Sequence, residues 1–168
     1  MLILILILEI EQQKFDIEPY DKFVKVGEKL ILPCRVVNKQ GLLQWTRDGF
    51  GLGHERDLAG YPRYQMIGTN DEGDYSLYIR SATLEDDAVF QCQVGGMPSV
   101  KSIRSRTATI NVLVPPNQPK IVQGNYLKTT AGSKIELTCQ SDGGKPAAAV
   151  CIPLYCSRCL FKTDVQLA

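Results

Sequence analysis

The side chains with the most chemical potential are six unevenly placed cysteines: Cys34, Cys92, Cys139, Cys151, Cys156 and Cys159. The last three follow the spacing Cys-x4-Cys-x2-Cys, which coincides with the first three ligands of a plant-type two-iron, two-sulfur site. Zinc is another possibility for such thiolates. Either centre needs a fourth ligand, no further cysteine follows, and Cys139 serves only if it is not a structural residue of a domain. The expectation is therefore no metal and no cofactor. Cys34 and Cys92 stand 58 residues apart in well-patterned sequence and read as a structural disulfide formed in an oxidising compartment, with two buried free thiols as the other reading. His54 is the only histidine, and no motif sets a serine or cysteine and a third orienting group beside it, as a nucleophile–base pair requires. It reads as a surface residue. Gly49-x-Gly51-x-Gly53 lacks the strand-to-helix setting of a phosphate loop and reads as a turn. Asp71, Glu72 and Asp74 lack the ligand series of a calcium loop and read as a solvated turn. These residues do not make an enzyme.

The elements that position the cysteines are short strands. Net charge is +1, from 19 basic and 18 acidic side chains, so no long-range field gathers nucleic acid or an anionic membrane. Lys101, Arg104 and Arg106 read as a solvated strand edge. Leu30, Leu32, Cys34 and Val36 alternate with Lys29, Ile31, Pro33 and Arg35, a period of two with Cys34 on the buried side. Leu43, Trp45 and Arg47 alternate with Gln44 and Thr46, and Ala88, Phe90, Cys92 and Val94 with Val89, Gln91 and Gln93. Further strands are expected over 15–18, 23–26, 63–67, 75–80 and 107–114. Regular short strands with turn signals and no helical period make a sandwich or barrel. Pro115-Pro116 stops the last strand as a stiff linker over 115–118.

Trp45 follows Cys34 by 11 residues, and Asp86-Asp87-Ala88-Val89-Phe90-Gln91-Cys92 matches the Asp-x-Ala-x-Tyr-x-Cys run of an immunoglobulin strand F. In such a sandwich the two cysteines bridge the facing sheets and the tryptophan packs on the bridge. The expected fold is all-β: an immunoglobulin-like, variable-type β-sandwich over 13–114, with room between Trp45 and Tyr75 for extra edge strands. Its core is expected to hold Trp45, Leu77 and Phe90, and Arg63 to pair with Asp86 at one end. Phe90 stands where a tyrosine corner is usual, so a hydroxyl is lost at small cost. From Pro119 the pattern of Gly27, Leu30, Leu32 and Cys34 recurs as Gly132, Ile135, Leu137 and Cys139. It fails after Pro146, where no tryptophan strand follows, so an incomplete second immunoglobulin domain is expected over 119–148, with an aberrant cysteine-rich tail over 149–168. A frameshift, an alternative exon or a read-through intron would produce such a tail. Leu2–Leu8 resembles the apolar heart of a signal peptide without its basic start or cleavage site. Residues 1–12 are accordingly read as a truncated signal-like or unstructured segment, and no stretch is long enough to span a membrane.

An ordered set of segments narrows the resemblance: Leu32-Pro33-Cys34-Arg35-Val36, Asn38-Lys39-Gln40-Gly41, Gln44-Trp45-Thr46, Phe50-Gly51-Leu52-Gly53, Arg63-Tyr64, Glu72-Gly73-Asp74-Tyr75-Ser76-Leu77, Gln91-Cys92-Gln93-Val94 and Gly143-Gly144-Lys145-Pro146-Ala147-Ala148. Residues 14–148 resemble the membrane-distal part of the irre cell recognition module, the nephrin-like family of Roughest and Kirre adhesion proteins. The resemblance implies cell-surface, type I membrane receptors that dock through their first domain, with copies of themselves or with nephrin-type partners. No small-molecule substrate and no nucleic acid is implied. The docking face it implies is the sheet holding Gln44, Thr46, Gln91 and Gln93, flanked by Phe50, Tyr64 and Met66. A secreted decoy and an inert fragment are the alternatives for a chain of this length.

Overall fold

The computed structural model describes residues 12–124, 128–130, 132–133 and 137–147. The chain divides into two compact units, Met1–Val112 and Leu113–Ala168. The signal-like segment up to residue 11 and the tail cysteines Cys151, Cys156 and Cys159 lie outside the described residues.

In the first unit, β1 (Lys14–Ile17) pairs antiparallel with β4 (Arg35–Val37), and β3 (Leu30–Leu32) pairs with β8 (Leu77–Ile79), which pairs with β7 (Tyr64–Met66). β3 and β4 are one run interrupted at Pro33, whose ring nitrogen cannot donate to a ladder. The run still holds its neighbour there, since the Tyr75 N–H donates to the Cys34 carbonyl at 2.8 Å. The facing sheet has the order β2 (Lys22–Lys25), β11 (Ala108–Leu113), β9 (Val89–Val94), β5 (Leu43–Arg47) and β6 (Phe50–Gly51), and β10 (Ile103–Arg104) also pairs with β9. The interval after Trp45 thus supplies one short extra edge strand, β6. A 3₁₀ turn spans Leu84–Asp86.

Alternation places the core. Leu32, Cys34, Trp45, Leu77, Ile79, Phe90 and Cys92 are wholly buried, whereas Ile31, between two core residues of β3, is 41% exposed. The Cys34–Cys92 disulfide joins the two sheets. Trp45 is the register partner of Cys92, and its indole N–H donates to the Tyr75 carbonyl at 2.8 Å, so the buried ring carries no unsatisfied donor. β5 returns as β6 through Asp48 (φ 49°) and Gly49 (φ 84°), both left-handed, with Arg47 opposite Phe50. That is the two-residue turn whose twist suits a hairpin.

At one end of the sandwich, Asp86 is wholly buried. Its carboxylate accepts from Arg63 Nη1 (2.6 Å) and Nη2 (3.0 Å), from the Thr83 backbone N–H (2.7 Å) and from the Tyr64 hydroxyl. Burial pushes its pKa up. The Arg63 hydrogen bond, then those of Tyr64 and Thr83, outweigh this and hold it below the usual carboxylate range. Phe90 packs edge-on against Tyr64, so the hydroxyl missing from the Phe90 position has a counterpart on β7, bonded to Asp86.

In the second unit β12 (Lys120–Ile121) pairs with β13 (Cys139–Gln140), and Val114 and Lys145 exchange two backbone hydrogen bonds of 3.0 Å. Cys139 is a buried free thiol on β13.

Candidate recognition face

The outer surface of β5 and β9 is built around amides. Gln44 on β5 lies opposite Gln93 on β9, and Thr46 opposite Gln91. The Gln93 Nε2 donates to Gln91 Oε1 at 2.9 Å, and Gln91 Nε2 donates to the Ser105 carbonyl at 2.6 Å. This chain of bonds fixes the orientation of both β9 amides. The Gln44 amide lies over Gly51 of β6, where a Cβ would come within 2.6 Å of its oxygen. Among the described residues the Gln44 amide has no hydrogen-bonding partner, so its donor and acceptor are both unused. Exposed apolar side chains flank the amides. Leu42 (67% exposed) and Met97 (53%) lie toward one end, Phe50 (77%) and Val89 (40%) toward the other. A shallow cleft of about 440 Å³ opens between Leu42, Gln44, His54, Gln93, Met97 and Arg104.

Of the residues expected on this face, Thr46 is covered within it, and Tyr64 and Met66 are placed elsewhere. Thr46 is buried. It is short, its hydroxyl turns to the Gln91 carbonyl at 3.4 Å, and its strand neighbours are Gln91 and Gly51, the glycine that the Gln44 amide overlies. Tyr64 and Met66 belong to β7 on the opposite sheet, and both point into the core with 4% and 2% exposure. The chain crosses between sheets before Tyr64, so closeness in sequence to Phe50 does not carry over into space. Leu42, Met97, Arg104 and His54 line the cleft on this side of the sandwich. His54 Nδ1 sits 3.2 Å from the Leu43 carbonyl, which accepts its N–H. Elsewhere the Asp74 carboxylate accepts from the Ser76 N–H and hydroxyl, and among the described residues no three potential metal ligands converge. Among the described residues, no helix is long and apolar enough to cross a membrane.

Two sheets bridged by a disulfide, with a tryptophan beside it, define an immunoglobulin-type β-sandwich. The family model of the immunoglobulin I-set domain matches residues 13–112, and the chain belongs to that family. It is 52% identical over 141 residues to Irregular chiasm C-roughest protein of Drosophila melanogaster, covering 83% of this chain and 18% of that protein. It is 43% identical over 142 residues to Synaptogenesis protein syg-1 of Caenorhabditis elegans, covering 83% of this chain and 20% of the relative. Among solved structures, the first two domains of Rst superpose with a TM-score of 0.71 at 49% identity, covering 81% of this chain and 66% of that one. The chain therefore spans about a fifth of the length of these full-length relatives.

Proposed function

We infer that the first unit is an adhesive recognition module that docks onto another immunoglobulin ectodomain, a second copy of itself or a related receptor, through the outer face of β5, β6 and β9. The observation that carries this reading is the pairing of Gln44 with Gln93, an amide pair at the centre of a sheet face with exposed Leu42, Met97 and Phe50 around it. Amides both donate and accept, so the same surface pairs with its own copy across a two-fold axis. Large apolar side chains beside them supply anchor area. The disulfide and the Roughest-like sequence support a module that works outside the cell, as part of a parent protein anchored in the plasma membrane. A single contact of modest affinity suffices there, because apposed membranes present many copies at high effective concentration.

A full interface of this kind buries roughly 1,200–2,000 Å² in total. Gln44→Ala leaves a partner's polar groups unpaired, at about 1–3 kcal/mol, a loss of roughly five- to 150-fold in affinity. Gln93→Ala is expected to act likewise. The test is surface plasmon resonance of the chain against itself, the two-domain Rst fragment and a nephrin-type ectodomain, with melting temperature as the folding control. Unchanged binding by both variants, with loss on substituting Gln65 of the opposite sheet, would move the interface to that sheet.

A further inference from the structure

We propose that Gln13 is a positioning residue for recognition, a buried amide that fixes from behind the two loops carrying the apolar end of the docking face. The inference rests on the face assigned above. Gln13 immediately precedes β1, on the sheet opposite that face, and is 3% exposed. Its Nε2 donates to the Gly95 carbonyl at 2.9 Å and to the Lys101 carbonyl at 2.7 Å. Its Oε1 accepts from the backbone N–H groups of Gln40 and Gly41, each at 3.2 Å. Both amide hydrogens and both oxygen lone pairs are thereby used, the full capacity of the group.

The four bonds are placed to hold two loops together. Gln40 and Gly41 lead directly into Leu42, and Gly95 and Lys101 bracket the turn that carries Met97. Within that turn Met97 and Val100 exchange backbone hydrogen bonds of 2.9 and 3.0 Å, and Val100 is buried beneath it. The Gly95 N–H donates to the Leu42 carbonyl at 2.8 Å. The two loops approach so closely that a Cβ on Gly41 would sit 1.9 Å from the Gly95 carbonyl oxygen. Leu42, Met97 and Ser102 then line the cleft on the far side of the loops. A rigid pair of loops presents these side chains already in place, and preorganisation of this kind raises affinity by lowering the cost of ordering on binding.

Gln13→Glu separates this role from general packing. A carboxylate has the same outline and still accepts from Gln40 and Gly41. It has no hydrogens for Gly95 and Lys101, so an oxygen faces each of those carbonyls. The 95–101 turn is expected to loosen while the 40–41 loop keeps its bonds. Gln13→Ala releases both loops. If the turn holds its binding geometry about a tenth of the time, apparent affinity falls about tenfold. The loss appears in the association rate, with dissociation nearly unchanged.

The experiment uses the full chain and each variant. Binding rates are measured against a second copy and the two-domain Rst fragment, with Gln44→Ala alongside, and amide exchange is read over 40–41 and 95–102. Faster exchange over 95–102 in Gln13→Glu, faster exchange over both loops in Gln13→Ala, and a roughly tenfold slower association for each support the proposal. Wild-type association by both variants while Gln44→Ala binds weakly overturns it and leaves the docking face standing. Faster exchange without altered binding in any of the three overturns the docking face and this role together. Unchanged exchange over 95–102 in Gln13→Glu overturns the clamp itself.

Discussion

Replacing both Cys34 and Cys92 with alanine is expected to lower the stability of the first unit by about 4 kcal/mol. The bridge closes a loop of about 59 residues, and the chain-entropy model gives that figure for the restriction it places on the unfolded chain. Small domains have net stabilities of roughly 5–15 kcal/mol, so the loss is a large fraction of the whole. It corresponds to a melting temperature lower by roughly 16–30 °C for a domain of this size. The two sulfurs are wholly buried and join the centres of the two sheets, with Trp45 beside Cys92 in register. Urea unfolding of the oxidised wild type and the double variant measures the difference. A loss below about 1 kcal/mol would mean that the unfolded chain is already restricted without the cross-link.

Asp86→Ala is expected to cost about 3–5 kcal/mol, because it leaves the Arg63 guanidinium and the Tyr64 hydroxyl without the acceptor that both face. Asp86→Asn keeps the shape and loses the charge, and is expected to fall between. The pH dependence has a definite sign. The folded-state pKa of Asp86 lies below its unfolded value, so the unfolded chain binds more protons in acid. The contribution is fully present above about pH 4, the unfolded carboxylate value, and is lost as pH falls through the folded one. Burial, then the bond to Asp86, raises the Tyr64 pKa, which keeps its hydroxyl a donor throughout this range. Stability curves between pH 2 and 6 are expected to fall more steeply in acid for wild type than for Asp86→Asn. Parallel curves would show that Asp86 does not carry the acid sensitivity.

The fold was legible because period-two alternation is a local signal of burial. It placed Leu32, Cys34, Trp45, Phe90 and Cys92 inside, and the positions between them outside. Which side chains line the outer surface of β5 and β9 is legible only in part, for two reasons. Alternation gives the side of a sheet but not the height of a side chain, so short Thr46 is buried among longer neighbours. Alternation also cannot say which sheet a strand joins, so it does not reveal that Tyr64 and Met66 belong to β7 on the opposite sheet. One local signal went unused. Asp48-Gly49 is a strong hairpin dipeptide, and it predicts β6 and the outward placement of Phe50. Gln13 carried no signal at all, since its four bonds join residues 27 to 88 positions away.

The central claim is that the outer surface of β5, β6 and β9 is what this chain presents to an immunoglobulin partner. Hydrogen exchange of the chain, alone and saturated with the two-domain Rst fragment, tests it most directly. The expected result is slower exchange on binding confined to residues 42–51 and 91–104, with 30–32, 64–66 and 77–79 unchanged. Protection over β3, β7 and β8 with none over β5 and β9 would contradict it.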